Sequence, residues 1–130
     1  MASKPILAGY RIIDFTQYLA GPSATRLMAE MGADIIKVEM APFGDPSRAF
    51  PYRKNKRSAY YVQQNRGKKS LCVDLKDARS KQVIRDLIRQ CDVLIENYAP
   101  GVIARLGFGW EVVRELNPKL VMCSISAFGQ

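Results

Sequence analysis

Five short apolar runs punctuate this chain, and polar, helix-patterned segments separate them. The runs are Arg11-Ile12-Ile13-Asp14-Phe15, Asp34-Ile35-Ile36-Lys37-Val38-Glu39, Ser70-Leu71-Cys72-Val73-Asp74, Asp92-Val93-Leu94-Ile95-Glu96 and Leu120-Val121-Met122-Cys123-Ser124. Runs of this length, rich in Ile and Val, read as buried strands. Between the third and fourth, Val83, Ile84, Leu87 and Ile88 recur at helical spacing across 78–90, which marks an amphipathic helix. Between the first and second, Ser23 can cap a helix whose Leu27, Met28 and Met31 face inward and which Gly32 stops. Pro100 suits the first turn of a short helix ending near Leu106-Gly107, and Trp110 to Leu116 forms another, stopped by Asn117-Pro118. Strands alternating with helices make right-handed βαβ units and a mostly parallel sheet. The expected fold is therefore α/β, Rossmann-like, with helices flanking the sheet.

Ligands of such sheets bind at the carboxyl ends of the strands. That rule nominates four loops: Thr16–Gly21, the stretch from Met40 onward, Asn97–Gly101 and Ser126–Gln130. The stretch 41–69 is long and polar, with Tyr60-Tyr61-Val62 as a short strand or helical turn within it. Loops of that length in a compact domain are usually functional. It also carries the charge. The whole chain has 20 basic and 12 acidic residues, a net +8, and eight of the basic residues lie between Gly44 and Ser70 against the single acid Asp45. The remainder is almost balanced. One anionic ligand or polyanion at one loop is the functional reading of this asymmetry, and a solvated basic loop is the plain one.

Composition excludes much chemistry. The absence of His removes Ser-His and Cys-His pairs, imidazole bases and histidine metal ligands. The three cysteines (Cys72, Cys91, Cys123) form no C-x-x-C pair, so no metal site is expected. They sit in or beside apolar runs and read as buried free thiols of a reducing compartment. No signal peptide and no apolar run of membrane length is visible, so a cytoplasmic protein without a membrane partner is expected. Walker A and G-x-G-x-x-G patterns are missing after the first strand. Asn97-Tyr98-Ala99-Pro100-Gly101 could hold a base or a phosphate, or be a tight strand-to-helix turn. Asn65-Arg66-Gly67-Lys68-Lys69 offers phosphate donors, or a plain basic turn. Glu39 and Glu96 end their strands, where a carboxylate acts as a base, caps a helix or pairs with an Arg.

Read together, the motifs become specific. Arg11 to Pro22 (R-I-I-D-F-T-Q-Y-L-A-G-P), Leu27 to Glu39 (L-M-A-E-M-G-A-D-I-I-K-V-E), Gly44-Asp45-Pro46-Ser47-Arg48, Asn65 to Ser70, Val73 to Lys76, Asp92 to Gly101, Arg105-Leu106-Gly107 and Ser124 to Gln130 follow one another in the order found in the class III (CaiB/BaiF-type) CoA-transferases. The chain resembles that family over nearly its whole length. The resemblance implies a Rossmann-like CoA-binding domain, of which residues 1–130 are the amino-terminal part, joined to a smaller second domain. It further implies an interlocked homodimer of the full-length protein, and transfer of CoA from an acyl-CoA to a carboxylic acid. The family's aspartate nucleophile attacks the thioester to give an aspartyl anhydride. It lies beyond Gln130, so no catalytic residue is expected here, with Gln17 near the reaction centre. The 130-residue chain is thus expected to be a fragment with an open sheet edge and no transfer activity of its own.

For binding, the resemblance implies Gln17, Tyr18, Leu19 and Ala20 along the pantetheine arm, and Val73 and Lys76 beside the adenosine. It implies Asn97 and Tyr98 on the CoA turn and Arg105 on a phosphate. Arg48, Asn65, Arg66 and Lys69 would flank the nucleotide. Where many members carry a basic residue or Pro after the second strand's Glu, this chain has Met40. CoA brings roughly four negative charges at neutral pH, which a basic loop complements. α-Methylacyl-CoA racemases of the same family, which use a His with an Asp or Glu, are the alternative. They often have Gly where this chain has Asn97. A basic nucleic-acid module with interleaved Tyr52, Tyr60 and Tyr61 is an alternative of another class that no motif supports, and no nucleic acid is expected as partner.

Overall fold

The computed structural model describes residues 4–129. Gln130, the last residue of the fourth nominated loop, lies outside them. Five parallel strands form the main sheet: β1 (Arg11–Asp14), β2 (Asp34–Met40), β5 (Lys69–Val73), β6 (Val93–Glu96) and β7 (Val121–Ser124). Their order is β5-β2-β1-β6-β7, with Ile12 beside Ile35 and Val93 across the centre. The expected α/β architecture is present, with each strand within a residue or so of its apolar run.

Alternation along each strand splits the core into two layers. Ile13, Phe15, Val38 and Leu94 point to one face, where Ile84 and Ile88 of α3 (Ala78–Ile88), Ile103 of α4 (Val102–Arg105) and Val113 of α5 (Trp110–Leu116) cover them. Ile12, Ile35 and Ile95 point to the other, under Met28 and Ala29 of α1 (Ala20–Glu30). Burying an Ile or Phe side chain contributes roughly 1.5–3 kcal/mol, so Phe15 and Phe108, fully buried with ring centroids 5.7 Å apart, are central to the first layer.

Three local expectations need correction. Helix α1 begins at Ala20, ahead of Ser23, whose hydroxyl bonds Gln64 instead of capping. That start sets the phase of the helix: Gly21, Pro22 and Thr25 meet the sheet, while Leu27 and Met31 are exposed. Pro100 precedes α4, whose first turn is entered through left-handed Gly101. Cys91 is buried as expected, but Cys72 and Cys123 are exposed on the two edge strands β5 and β7, and all three are free thiols. Val121 of β7, a terminal strand of the sheet, is 62% exposed.

The 41–69 segment is folded rather than loose. It contains a 3₁₀ turn (Pro46–Ala49), a hairpin of β3 (Arg53–Lys54) and β4 (Arg57–Ser58), and helix α2 (Ala59–Asn65) capped by the Ser58 hydroxyl. Asn55 and Lys56 make the two-residue hairpin turn, both with positive φ, the geometry that matches the strands' twist. Helix α2 lies on α1 through Ser23–Gln64 and Glu30–Arg66 contacts. Among the described residues, no helix is long and apolar enough to cross a membrane.

Candidate functional site

The chain leaves β1 toward β2 on one side and β6 toward β7 on the other. This reversal opens a crevice at the carboxyl ends of β1 and β6, where ligands of such sheets bind. Three of the four nominated loops meet there. The Gln17 backbone N–H donates to Asn97 Oδ1 at 2.7 Å, and Asn97 Nδ2 donates to the Gln17 carbonyl at 2.9 Å. One side-chain amide thereby continues, past the strand ends, the ladder that Phe15 N–H makes to the Ile95 carbonyl at 2.8 Å. Ile125 N–H donates to the Glu96 carbonyl at 2.9 Å and ties in the loop after β7.

The clamp holds a strained turn. Tyr18 sits at φ 65°, a left-handed conformation that costs a non-glycine residue of order 1–3 kcal/mol. Gly21 follows at the first turn of α1, where a Cβ would stand 2.2 Å from Thr16 Cγ2, so only glycine lets helix and loop approach this closely. Ala20, Asn97, Tyr98, Ala99, Pro100, Ile125, Ser126 and Ala127 line an open groove of about 400 Å³. Burial, only partly offset by the neighbouring Gln17 side chain, pushes the Tyr98 phenol up to about 12, so it is a neutral hydrogen-bonding group at pH 7. Tyr18 in turn faces Phe50 at 6.1 Å between ring centroids, and Phe50 faces Tyr60 at 5.1 Å, so the 41–69 segment walls one side of the loop.

Buried charges hold this loop from below. Asp14, wholly buried, accepts from Thr16 N–H (2.8 Å), the Thr16 hydroxyl (2.5 Å), the Thr25 hydroxyl (2.7 Å) and Lys68 Nζ (3.0 Å). Lys68 also donates to the Pro22 carbonyl and Asn65 Oδ1; burial pushes its ammonium pKa down, against the pull of Asp14. Lys37, 1% exposed, donates to the Thr16 carbonyl at 2.6 Å and pairs with Asp45 at 2.9 Å. Burial pushes the Asp45 carboxyl up, but Lys37 and Ser47 outweigh it and hold it below the usual range. Glu39 takes Arg48 on both oxygens at 2.6 and 2.7 Å, the Tyr61 and Ser70 hydroxyls at 2.6 and 2.7 Å, and Asp45 N–H at 2.8 Å. Its burial is overcome by these partners, and its pKa falls to about 2. A carboxylate so committed is structural and a poor base.

The model of CoA-transferase family III matches residues 7–130. The chain belongs to CoA-transferase family III. Similar curated proteins are named formyl-CoA:oxalate CoA-transferase, from Bradyrhizobium diazoefficiens (44% identical) and Afipia carboxidovorans (45% identical). Each alignment spans 124 residues, 95% of this chain and 29% of the relative. Two solved structures share the fold: a CaiB/BaiF family protein from Brucella suis (33% identical, TM-score 0.89, 97% of this chain and 34% of that one) and a hypothetical protein from Mycobacterium tuberculosis (39% identical, TM-score 0.87, 98% and 35%). The chain thus spans about a third or less of each of these four proteins.

Against the residues that the family resemblance implied, the structure divides them into three groups. Gln17, Tyr18, Leu19, Ala20, Asn97 and Tyr98 come together at the crevice. Val73 ends β5, Lys76 lies exposed in the turn after it, and Arg105 lies exposed at the end of α4, its guanidinium 3.1 Å from where a Gly101 Cβ would stand. Adjacent strands lie about 4.8 Å apart, so β5 and β6, three places apart in the order, set Lys76 and the Asn97 turn on the order of 14 Å from each other. Arg48, Asn65, Arg66 and Lys69 are not brought to the crevice mouth as free groups. Arg48 is held by Glu39, Asn65 by Lys68 and the Tyr61 carbonyl, Arg66 by Glu30 at 2.6 Å, and Lys69 by Asp34 at 2.6 Å at the amino end of β5. Of the basic segment, Arg53, Lys54, Lys56 and Arg57 at the hairpin remain without an acidic partner among the described residues, Arg53 donating to the Ala49 and Phe50 carbonyls. No three or more His, Cys, Asp or Glu side chains among the described residues are grouped to hold a metal.

Sequence reasoning missed Asp14, Lys37, Lys68 and Asp45 as one network. The signal was present. Asp14, Lys37 and Glu39 fall on the same face as Ile12 and Ile35, and a parallel strand covered on both faces is normally apolar there. Charges at such positions announce partners arriving from another segment, here 45–70.

Proposed function

We propose that the crevice binds a CoA thioester and that the whole protein transfers CoA from an acyl-CoA to a carboxylic acid. The observation that carries this reading is the Asn97–Gln17 clamp, which fixes the first-strand loop at the switch point of a family III CoA-transferase fold. Gln17, Tyr18, Leu19 and Ala20 would lie along the pantetheine arm, and Asn97 and Tyr98 along its other side. Val73 and Lys76 would flank the adenosine, and Lys76 and Arg105, both exposed, would contact its phosphates. The formyl and oxalate specificity in the relatives' names belongs to those proteins.

The carboxylates under the crevice do not suit nucleophilic attack. Asp14 accepts four hydrogen bonds, and Glu96 is buried with Tyr98 N–H on one oxygen at 2.8 Å. The family resemblance implies that the aspartate forming an acyl anhydride lies beyond Gln130 and that the whole protein is an interlocked homodimer. Calorimetry with CoA tests the binding reading. Binding is expected, and Lys76→Ala and Arg105→Ala should each weaken it about tenfold, the worth of one charge-assisted hydrogen bond in partly exposed surroundings. No binding at millimolar CoA, or full affinity in both variants, would overturn the assignment.

A further inference from the structure

The loop after β7 contributes one group that the rest of the crevice does not explain. Ile125 turns its side chain under the sheet, against the layer of Ile12, Ile35 and Ile95, while its N–H is tied to the Glu96 carbonyl. The next residue, Ser126, lines the groove beside Asn97, Tyr98 and Ala20. Its hydroxyl oxygen is buried and has no hydrogen-bond partner. Other buried or half-buried hydroxyls of the chain are engaged: Thr16 and Thr25 with Asp14, Ser47 with Asp45, Ser58 with Tyr61 N–H, and Ser23 with Gln64. A buried polar group left unmade costs folding free energy, and such exceptions call for a functional explanation.

We propose that Ser126 is a ligand-binding residue of the crevice, its hydroxyl hydrogen-bonding a carbonyl or amide of the pantetheine chain. The proposal rests on the CoA reading above and deepens it. The chemistry around the hydroxyl selects this part of the ligand. The walls beside it are Ala20, Ala99, Pro100 and Ala127, and no cation among the described residues lines the groove, so a phosphate would find no counter-charge there. An uncharged chain with an apolar body and spaced amide groups fits such walls. Asn97 spends its amide on the Gln17 backbone, which leaves the serine as the uncommitted short donor. A turn about χ1 is all a serine needs to redirect its hydroxyl.

The orphaned hydroxyl makes the test asymmetric. A serine kept for structure loses stability when replaced by alanine. A serine kept for ligand does not, and loses affinity. For Ser126→Ala, the melting temperature of the free chain is expected to hold or rise, and CoA should bind about five- to tenfold more weakly by calorimetry. Binding of adenosine 3′,5′-bisphosphate, which has the phosphates and lacks the pantetheine, should not change, and Ser126→Thr should restore most of the CoA affinity. Unchanged CoA affinity in Ser126→Ala, a lowered melting temperature, or an equal loss toward the bisphosphate would each overturn the proposal while leaving CoA binding by the crevice intact. Absence of CoA binding by the wild-type chain would instead overturn the functional reading, and this proposal with it.

Discussion

Replacing Arg48 by methionine separates two roles for that residue. The structure gives it a structural one. Its guanidinium forks onto Glu39 at 2.6 and 2.7 Å and its Cζ lies 3.8 Å from the centroid of the Tyr61 ring. Glu39 is 1% exposed at its side chain while Arg48 is 41% exposed. Lowering the Glu39 pKa from 4.5 to about 2 corresponds to about 3 kcal/mol of folding stability at pH 7. Tyr61, Ser70 and Asp45 N–H remain in the variant, and water already reaches Arg48. The loss expected for Arg48→Met is therefore about 2 kcal/mol, below the ~3–5 kcal/mol for breaking a fully buried pair. The sign of the pH dependence follows from a depressed carboxylate. Its contribution is complete above about pH 4.5 and disappears as pH falls through about 2. Urea unfolding followed by Trp110 fluorescence at pH 7 and at pH 3 should show a wide gap between wild type and variant at pH 7 and a narrower one at pH 3. A gap below about 0.5 kcal/mol, or one equal at both pH values, would refute the clamp. Retained stability with lost CoA affinity would make Arg48 a phosphate ligand instead.

Two further outcomes follow from the same geometry. Gly21→Ala must push α1 away from Thr16, because its Cβ has nowhere to go at 2.2 Å; a loss of about 1–3 kcal/mol is expected together with weakened CoA binding, and a variant as stable as wild type in thermal unfolding would contradict the tight approach. Burial pushes the Cys91 thiol to about 11, while Cys72 and Cys123 are exposed. A disulfide reagent at pH 8 should therefore react quickly with two thiols and reach the third only after denaturation, and three fast thiols would contradict the burial of Cys91.

The strands were legible because a buried parallel strand leaves little choice of residue. Ile12-Ile13, Ile35-Ile36 and Leu94-Ile95 each supply both faces of the sheet, and their order along the chain dictates the crossovers. Helix α1 was less legible. Its apolar residues suggested one phase, but small residues decide the contact: Gly21 against Thr16, and Ala29 within 3.2 Å of where a Gly67 Cβ would stand. Such contacts depend on what arrives from elsewhere in the chain. The 41–69 segment hid its structure for another reason. A two-residue hairpin turn of Asn-Lys instead of Asn-Gly, and a seven-residue helix, carry weak local signals.

The crevice followed from topology plus motif, while the meaning of the charge did not. A stretch with eight cations and one acid looks like a surface for anions. Yet Arg48, Arg66, Lys68 and Lys69 are spent on Glu39, Glu30, Asp14 and Asp34, acids that lie outside the stretch. Lys68–Asp14 and Lys37–Asp45, both buried, fasten the 41–69 segment to the first two strands beneath Thr16, with Arg48–Glu39 beside them, while Arg66–Glu30 and Lys69–Asp34 are exposed pairs on α1 and at the amino end of β2. Lys37–Asp45 apart, the anions of these pairs are counted in sequence as part of a balanced remainder, and their cations as a surplus. The buried pairs Lys68–Asp14 and Lys37–Asp45 act as one device that holds Thr16, and with it the Gln17–Ala20 turn, in place. Breaking a pair in it would then act on the crevice without any of its members touching a ligand. This separates it from the exposed Lys76 and Arg105, whose loss is expected to lower affinity and leave the fold alone.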